Sequence, residues 1–338
     1  MNGAVKMIEP KRQKLLAGFA LGLLLAATGG TVRADDTDAY PSKPIRIIVP
    51  SSAGGTTDIV ARALAQALGQ RMNASFVIEQ RVGGSTNIGM NYVAKSPPDG
   101  YTLLVVTDTL TSNASTFRDP GYDPVTSFAP VTMLAKAPGA LAVKRDLGVA
   151  TMDAFLALAR RKGPDLTVAS TGTGTVSQLT GIMFQQQMGL PVWTDVPYAG
   201  SAKAVTDLLG GHVDAMFSMV VPLVPHAERG DLRLIAVTTR TRSPTVPEVP
   251  TVAETTALKD FDVVNWTALL APAGTPAPIV QKLAAQTALA LQDPELLARF
   301  ALLGVQPAGD GPDALAREIR RTVTQWRDVV RQAGMKVN

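Results

Sequence analysis

The chain reads as an α/β protein with mainly parallel strand pairing, arranged in two lobes. Three observations predict this. Short β-branched apolar runs alternate with helical patterns from one end to the other. Three of those runs stop at a Gly/Ser/Thr loop that opens directly into a helical pattern. Finally, 338 residues at 46% hydrophobic and 18% charged make an ordered chain too long for one usual hydrophobic core.

The first unit is a strand over 45–49 and a helix over 58–71. There Ile59, Ala63 and Ala67, and beside them Val60, Leu64 and Leu68, recur every four residues. Strands over 76–79 and 102–106 follow, separated by the Gly-rich loop 83–87 and a helix around 88–95. Pro97-Pro98-Asp99-Gly100 is a turn. Apolar runs at 128–134 and 141–143 predict two further strands, marking a crossing between lobes. The second set comprises helices over 152–162, 177–188 and 202–209, with strands over 166–169, 193–196, 215–217 and 234–237. A Pro-rich surface loop covers 244–250, and 263–270 is a second crossing strand. Helices over 277–291 and 313–332 close the chain, the last with Leu315, Ile319, Val323, Trp326 and Val330 on one stripe. These helices lack strands of their own and are expected to return to the first lobe. That leaves the second lobe inserted: 35–142 plus 265–338 against 143–264, with a cleft between them.

The three loops are Ser51-Ser52-Ala53-Gly54-Gly55-Thr56-Thr57, Ser170-Thr171-Gly172-Thr173-Gly174-Thr175 and Tyr198-Ala199-Gly200-Ser201. Small residues at a strand-to-helix corner let backbone N–H groups converge on an anion, which the helix dipole also favours. The amides of Gly54 and Gly174, with Ser52, Ala53, Gly55, Thr57, Ser170, Thr173 and Thr175 around them, are the expected carboxylate donors. Asp58 is read first as a first-turn acid complementing its helix and second as a partner for an ammonium or hydroxyl. Tyr198, with an apolar ring and a polar tip, fits equally under its loop or in the cleft.

Residues 1–34 are expected to form a secretory signal. Lys6, Lys11, Arg12 and Lys14 precede the apolar stretch 15–28, and Val32-Arg33-Ala34 precedes a cut near Ala34. This segment holds five of the 32 Lys and Arg and one of the 28 Asp and Glu, leaving 27 of each. The apparent basicity therefore belongs to the signal, and no nucleic-acid or membrane-surface partner follows from it. Zero cysteines exclude disulfides, thiol nucleophiles and Cys-ligated metals. His212 and His226 have no second ligand at usable spacing, so no metal, cofactor or catalytic residue is expected.

Stretches in order along the whole mature chain resemble the Bug-type solute-binding receptors of tripartite tricarboxylate transport systems. They include Tyr40-Pro41-Ser42-Lys43-Pro44-Ile45-Arg46, Ala53-Gly54-Gly55 with Asp58, and Pro98-Asp99-Gly100-Tyr101-Thr102-Leu103. Others are Ala169-Ser170-Thr171-Gly172-Thr173-Gly174-Thr175, Val196-Pro197-Tyr198, Leu209-Gly210-Gly211-His212-Val213-Asp214 and Ala271-Pro272-Ala273-Gly274-Thr275-Pro276. The resemblance implies a type II periplasmic-binding-protein fold with mixed sheets and a central ligand cleft. It implies a periplasmic monomer, not membrane-inserted, that passes a small carboxylate to membrane permease subunits. Thr107 and Ser218 complete the candidate ligand set. Ser51-Ser52 stands where the family often has Phe-Pro, and Ser218 where it often has an acid or Asn. The latter tilts the reading away from an amino-acid ligand.

A reading from another class is an exported or mis-sorted NAD-dependent oxidoreductase. Gly172-Thr173-Gly174-Thr175-Val176-Ser177 imitates G-x-G-x-x-G/A after a strand, and Asp195 falls about 20 residues on, where a ribose acid belongs. Its third position is Ser177, and export separates such an enzyme from its cofactor.

Overall fold

The computed structural model describes residues 40–335 together with Gly3. The expected signal at 1–34 and its cut near Ala34 lie, Gly3 apart, outside the described residues. The strands are β1 (Ile45–Val49), β2 (Phe76–Gln80), β3 (Thr102–Thr107), β4 (Phe128–Lys144), β5 (Thr167–Ser170), β6 (Thr194–Pro197), β7 (Ala215–Met219), β8 (Leu232–Val237), β9 (Val264–Pro272) and β10 (Gln306–Pro307). The helices are α1 (Thr56–Met72), α2 (Asn87–Ala94), α3 (Thr109–Thr116), α4 (Met152–Lys162), α5 (Val176–Gln187), α6 (Ser201–Leu209), α7 (Val224–Glu228), α8 (Val252–Thr255), α9 (Ala277–Ala290), α10 (Pro294–Leu302) and α11 (Gly311–Gln332).

The strands join in one mixed sheet, ordered β2-β1-β3-β9-β4-β7-β5-β6, with β8 and β10 also on β4. Pairing is parallel within the βα units, β1 with β2 and β3, and β5 with β6 and β7. Every pair involving β4 or β9 is antiparallel. The mainly parallel expectation therefore holds for the repeating units and fails at the crossings. A mixed α/β architecture results.

The runs at 128–134 and 141–143 are one strand, not two. Lys136, Pro138 and Gly139 interrupt the apolar pattern without interrupting the ladder. Pro138 ends the pairing with β9 opposite Val264, and Gly139 begins the pairing with β7 opposite Met219. Gly139 is required by close approach, since a Cβ there would sit 2.7 Å from Thr238 Oγ1.

Helix α1 buries the stripe its spacing predicts: Val60, Leu64 and Leu68 are fully buried. It stops at Asn73, which adopts the left-handed conformation at φ 47° and returns its N–H to the Gly69 carbonyl. Helix α3 has no such pattern. Its sequence, Thr-Leu-Thr-Ser-Asn-Ala-Ser-Thr, is poor in helix formers, and tertiary contacts hold it instead. Leu110 and Thr111 are buried, and Asn113 Nδ2 donates to Asn87 Oδ1 at 2.9 Å. Helix α10 also escapes the sequence reading, although Asp293 caps it by accepting from the Glu295 and Leu296 amides.

Two apolar clusters flank the changeover in β4. One gathers Ile48, Leu104, Val106, Trp266, Leu315 and Ile319; the other gathers Phe155, Phe184, Phe217, Trp326, Val329 and Val330. Helix α11 thus contributes its first half to one cluster and its second half to the other. At about 1.5 Å per residue its 22 residues are long enough to do so.

Candidate functional site

Beside the changeover lies a cavity of about 330 Å³, within the range usual for small-molecule sites. Four helix N-termini open onto it: Thr56 and Thr57 of α1, Thr109 of α3, Val176 and Ser177 of α5, and Ser201 of α6. The first amides of a helix have no partner within it. At α1, α3 and α6 the cap residue makes no side-chain bond to them, although at α3 Thr107 Oγ1 accepts the Thr109 N–H at 3.5 Å; at α1 and α6 the cap position is a glycine, Gly55 or Gly200, with no side chain to offer. Uncapped helix ends facing one cavity form a site for negative charge. Ala135, Lys136 and Ala137 of β4, Ser218 of β7, and Asn265, Trp266 and Thr267 of β9 complete the wall.

The structure brings four of the sequence candidates to this cavity: Thr57, Thr107, Thr175 and Ser218. The others lie outside its lining. Ser52, Ala53, Gly54 and Gly55 are exposed, and Thr173 is exposed as well. Both nominated amides are already engaged. Gly54 N–H donates to Asp58 Oδ2 at 2.9 Å, and Gly174 N–H donates to Gln178 Oε1 at 2.7 Å. The corner geometry that suggested anion binding is used internally at these two positions. Asp58 is buried beneath its loop, where Arg62 Nε donates to it at 3.0 Å and Gln80 Nε2 at 2.9 Å. Burial alone would raise its pKa; the bonds from Arg62, Gly54 and Gln80 outweigh that and hold it low. Ser170 is buried against Asp195, its Oγ donating at 3.4 Å. Tyr198 packs on the cluster of Val205, Leu208 and Val237. Partial burial and the neighbouring Asp207 carboxylate push its hydroxyl up to about 12.

Sequence reasoning missed Asp108 and Trp266, and it named Ser177 and Ser201 in their glycine loops without placing them in the ligand set. The available signal for the first was Thr107-Asp108-Thr109, a polar triplet ending an apolar strand. Among the described lining residues, two are charged, Asp108 and Lys136. Lys136 Nζ is paired with Asp310 Oδ2 at 2.5 Å. Asp108 is 8% exposed, makes no capping bond, and its Oδ2 has no hydrogen-bond partner. Burial drives its pKa up to about 7, against the lowering effect of the Trp266 and Thr109 amides. Ser218 Oγ and Trp266 Nε1 are likewise buried and unpartnered. Such groups are costly unless something satisfies them.

The dinucleotide-like motif is occupied with its own structure. Thr171 N–H donates to Ser177 Oγ at 3.0 Å and Gly174 N–H to Gln178, so neither is free for a pyrophosphate. Asp195, the would-be ribose acid, accepts from Gln178 Nε2 at 2.7 Å. Among the described residues no cluster of His, Cys, Asp and Glu could hold a metal ion. No helix among them is long and apolar enough to cross a membrane.

A family model described as tripartite tricarboxylate transporter family receptor matches residues 60–335. Protein BugT of Bordetella pertussis is 33% identical over 96% of this chain and 98% of its own length. Among solved structures, MatC from Rhodopseudomonas palustris with bound malate is 31% identical at a TM-score of 0.70, covering 86% of this chain and 100% of that one. The R. palustris protein Rpa4515 with adipate is 33% identical at a TM-score of 0.73, covering 87% and 98%.

Proposed function

The chain belongs to the tripartite tricarboxylate transporter family of receptors, and from that premise we propose that it captures a small carboxylate in the cavity beside β4 and delivers it to a membrane permease. The observation that carries this reading is the convergence of four helix N-termini, three without a side-chain cap, on one cavity of about 330 Å³. Thr57, Thr107 and Ser218 offer neutral hydroxyl groups to the cavity, while Thr175 gives its hydroxyl proton to the Gly172 carbonyl at 2.7 Å. The solved relatives with malate and adipate support a carboxylate as the ligand class.

The protein acts outside the cytoplasm, as its family does, with the signal removed near Ala34. It works as a monomer of two lobes, 35–142 plus 265–338 and 143–264, that close on the ligand. The switch of β4 from β9 to β7 at Pro138 and Gly139 supports a division near that point. Its role is binding without chemistry on the ligand.

A melting-temperature screen over mono-, di- and tricarboxylates, followed by calorimetry, tests the proposal. The expected result is a saturable shift with carboxylates, none with NAD(H), and loss of binding in Ser218→Phe, which fills the cavity. A shift with NAD(H) and none with any carboxylate would overturn it.

A further inference from the structure

Within the cavity the chemistry is uneven. Most of the polar wall is neutral hydroxyl: Thr57, Thr107, Thr109, Thr175, Ser177 and Ser201 stand at the helix ends. Those ends suit a carboxylate. Asp108 does not, because a buried carboxyl group beside an incoming anion repels it whenever ionised. The other charged lining residue, Lys136, is neutralised by Asp310, so nothing shown at the cavity compensates Asp108 with a positive charge.

Two further facts separate Asp108 from a structural acid. An Asp at the first position before a helix usually caps its second or third amide, yet this one makes no such bond, only the Thr109 and Trp266 amides acting on its carboxyl. Its Oδ2 is buried without a hydrogen-bond partner, and Ser218 Oγ and Trp266 Nε1 share that condition in the same lining. Among these groups Asp108 Oδ2 offers an unpaired acceptor, and its complement is a ligand group that donates a hydrogen bond.

Resting on the receptor reading above, we propose that Asp108 sets specificity: its free oxygen takes a hydroxyl or ammonium group borne by the same organic acid whose carboxylate the helix ends hold. The ligand class is a short hydroxy- or amino-carboxylate rather than an unsubstituted di- or tricarboxylate. The missing acid at Ser218 no longer weighs against an amino acid, since Asp108 supplies one from a different strand end.

Calorimetry on the protein tests this with chain-matched triplets of three to six carbons, of which succinate, malate and aspartate are the four-carbon set. At the chain length the cavity accepts, the hydroxyl or amino member should bind at least about tenfold tighter than the unsubstituted acid. Asp108→Asn should remove most of that preference and leave the unsubstituted acid within about threefold. Preference for the hydroxyl identifies a neutral donor and preference for the amine an ammonium; either supports the proposal. Equal or tighter binding of the unsubstituted acid overturns it while the receptor reading stands. Failure of every triplet to bind, with or without heat from NAD(H), overturns both. Should Asp108→Asn not fold, the ranking on the unaltered protein decides alone.

Discussion

Gln178 Nε2 donates to Asp195 Oδ2 at 2.7 Å, and the oxygen of the same side-chain amide accepts the Gly174 N–H at 2.7 Å. One side chain thus ties the start of α5 to β6 and fixes the loop between β5 and α5. Asp195 is raised by burial, and the bonds from Gln178 and Ser170 oppose that rise. This is why the glycine loop, which on paper imitates a nucleotide site, has no amide to give at Gly174.

Gln178→Ala should therefore destabilise the fold by about 1–3 kcal/mol, leaving the half-buried Asp195 carboxyl with only its long bond from Ser170 and the buried Gly174 N–H without a partner. The sign of its pH dependence follows from Asp195. A folded-state pKa above the unfolded value contributes stability at low pH that is lost as pH rises, and losing Gln178 raises that pKa further. The gap between variant and parent, read from melting curves, should be widest at neutral pH and narrow toward pH 4. A constant gap would show that Asp195 is not the group involved.

Asp108→Asn should stabilise the ligand-free protein. The Asp108 pKa is raised by burial from 3.8 to about 7, so in the parent stability is greatest below the lower value and falls as pH rises through the upper one. A displacement of that size corresponds to at most roughly 4 kcal/mol, and the uncapped helix ends nearby reduce it. The variant should melt higher than the parent at pH 8 and equally at pH 4. Equal melting at both would mean the carboxyl is satisfied in solution.

Asp214 behaves in the opposite sense. Lys162 Nζ reaches its Oδ2 at 2.6 Å, Lys144 Nζ its Oδ1 at 3.3 Å, and the Thr167 amide adds a third bond at 3.2 Å. Burial alone would raise its pKa, but these partners outweigh it and hold the carboxyl below its usual range. Its contribution is present above the unfolded value and lost as pH falls through the lower, folded one. Asp214→Asn should cost about 1–3 kcal/mol at pH 7, since both lysines are part-exposed and can turn to water. The loss should vanish in strong acid, and a pH-independent loss would point to packing instead.

The repeating βα units were legible because their signals are local. Val60, Leu64 and Leu68 recur at helical spacing, and Ile45–Val49 is a short apolar run. The crossings were less so, since β4 depends on partners more than 100 residues away, with Pro138 facing Val264. At the site, the loops that read as anion-ready were found, but which of their amides are free is decided by side chains elsewhere in space. Asp58 and Gln178 take Gly54 and Gly174, and no spacing rule announces that. Asp108 escaped notice because the helix it precedes, Thr109–Thr116, carries no apolar stripe to announce it, and its burial and missing cap bond exist only in the folded chain.

Gly54 and Gly174 offer a last comparison, because both have positive φ, at 79° and 75°, and differ in what surrounds them. A Cβ at Gly54 would meet nothing within 4 Å, whereas one at Gly174 would lie 3.0 Å from Thr116 Oγ1 and 3.2 Å from its Cβ. Gly54→Ala should then cost only the left-handed backbone penalty, about 1–2 kcal/mol. Gly174→Ala should cost that and a displacement of α3, on the order of 1–3 kcal/mol more. Because both amides are engaged with side chains, neither substitution removes a ligand donor directly. Gly54→Ala should bind the best carboxylate within a few-fold of the parent, while Gly174→Ala should weaken binding through α3, whose first turn lines the cavity. Adding Thr116→Ala to Gly174→Ala should recover part of both losses, and a double-mutant cycle in stability and affinity measures it. Strict additivity would show that the two loops are not coupled through this contact.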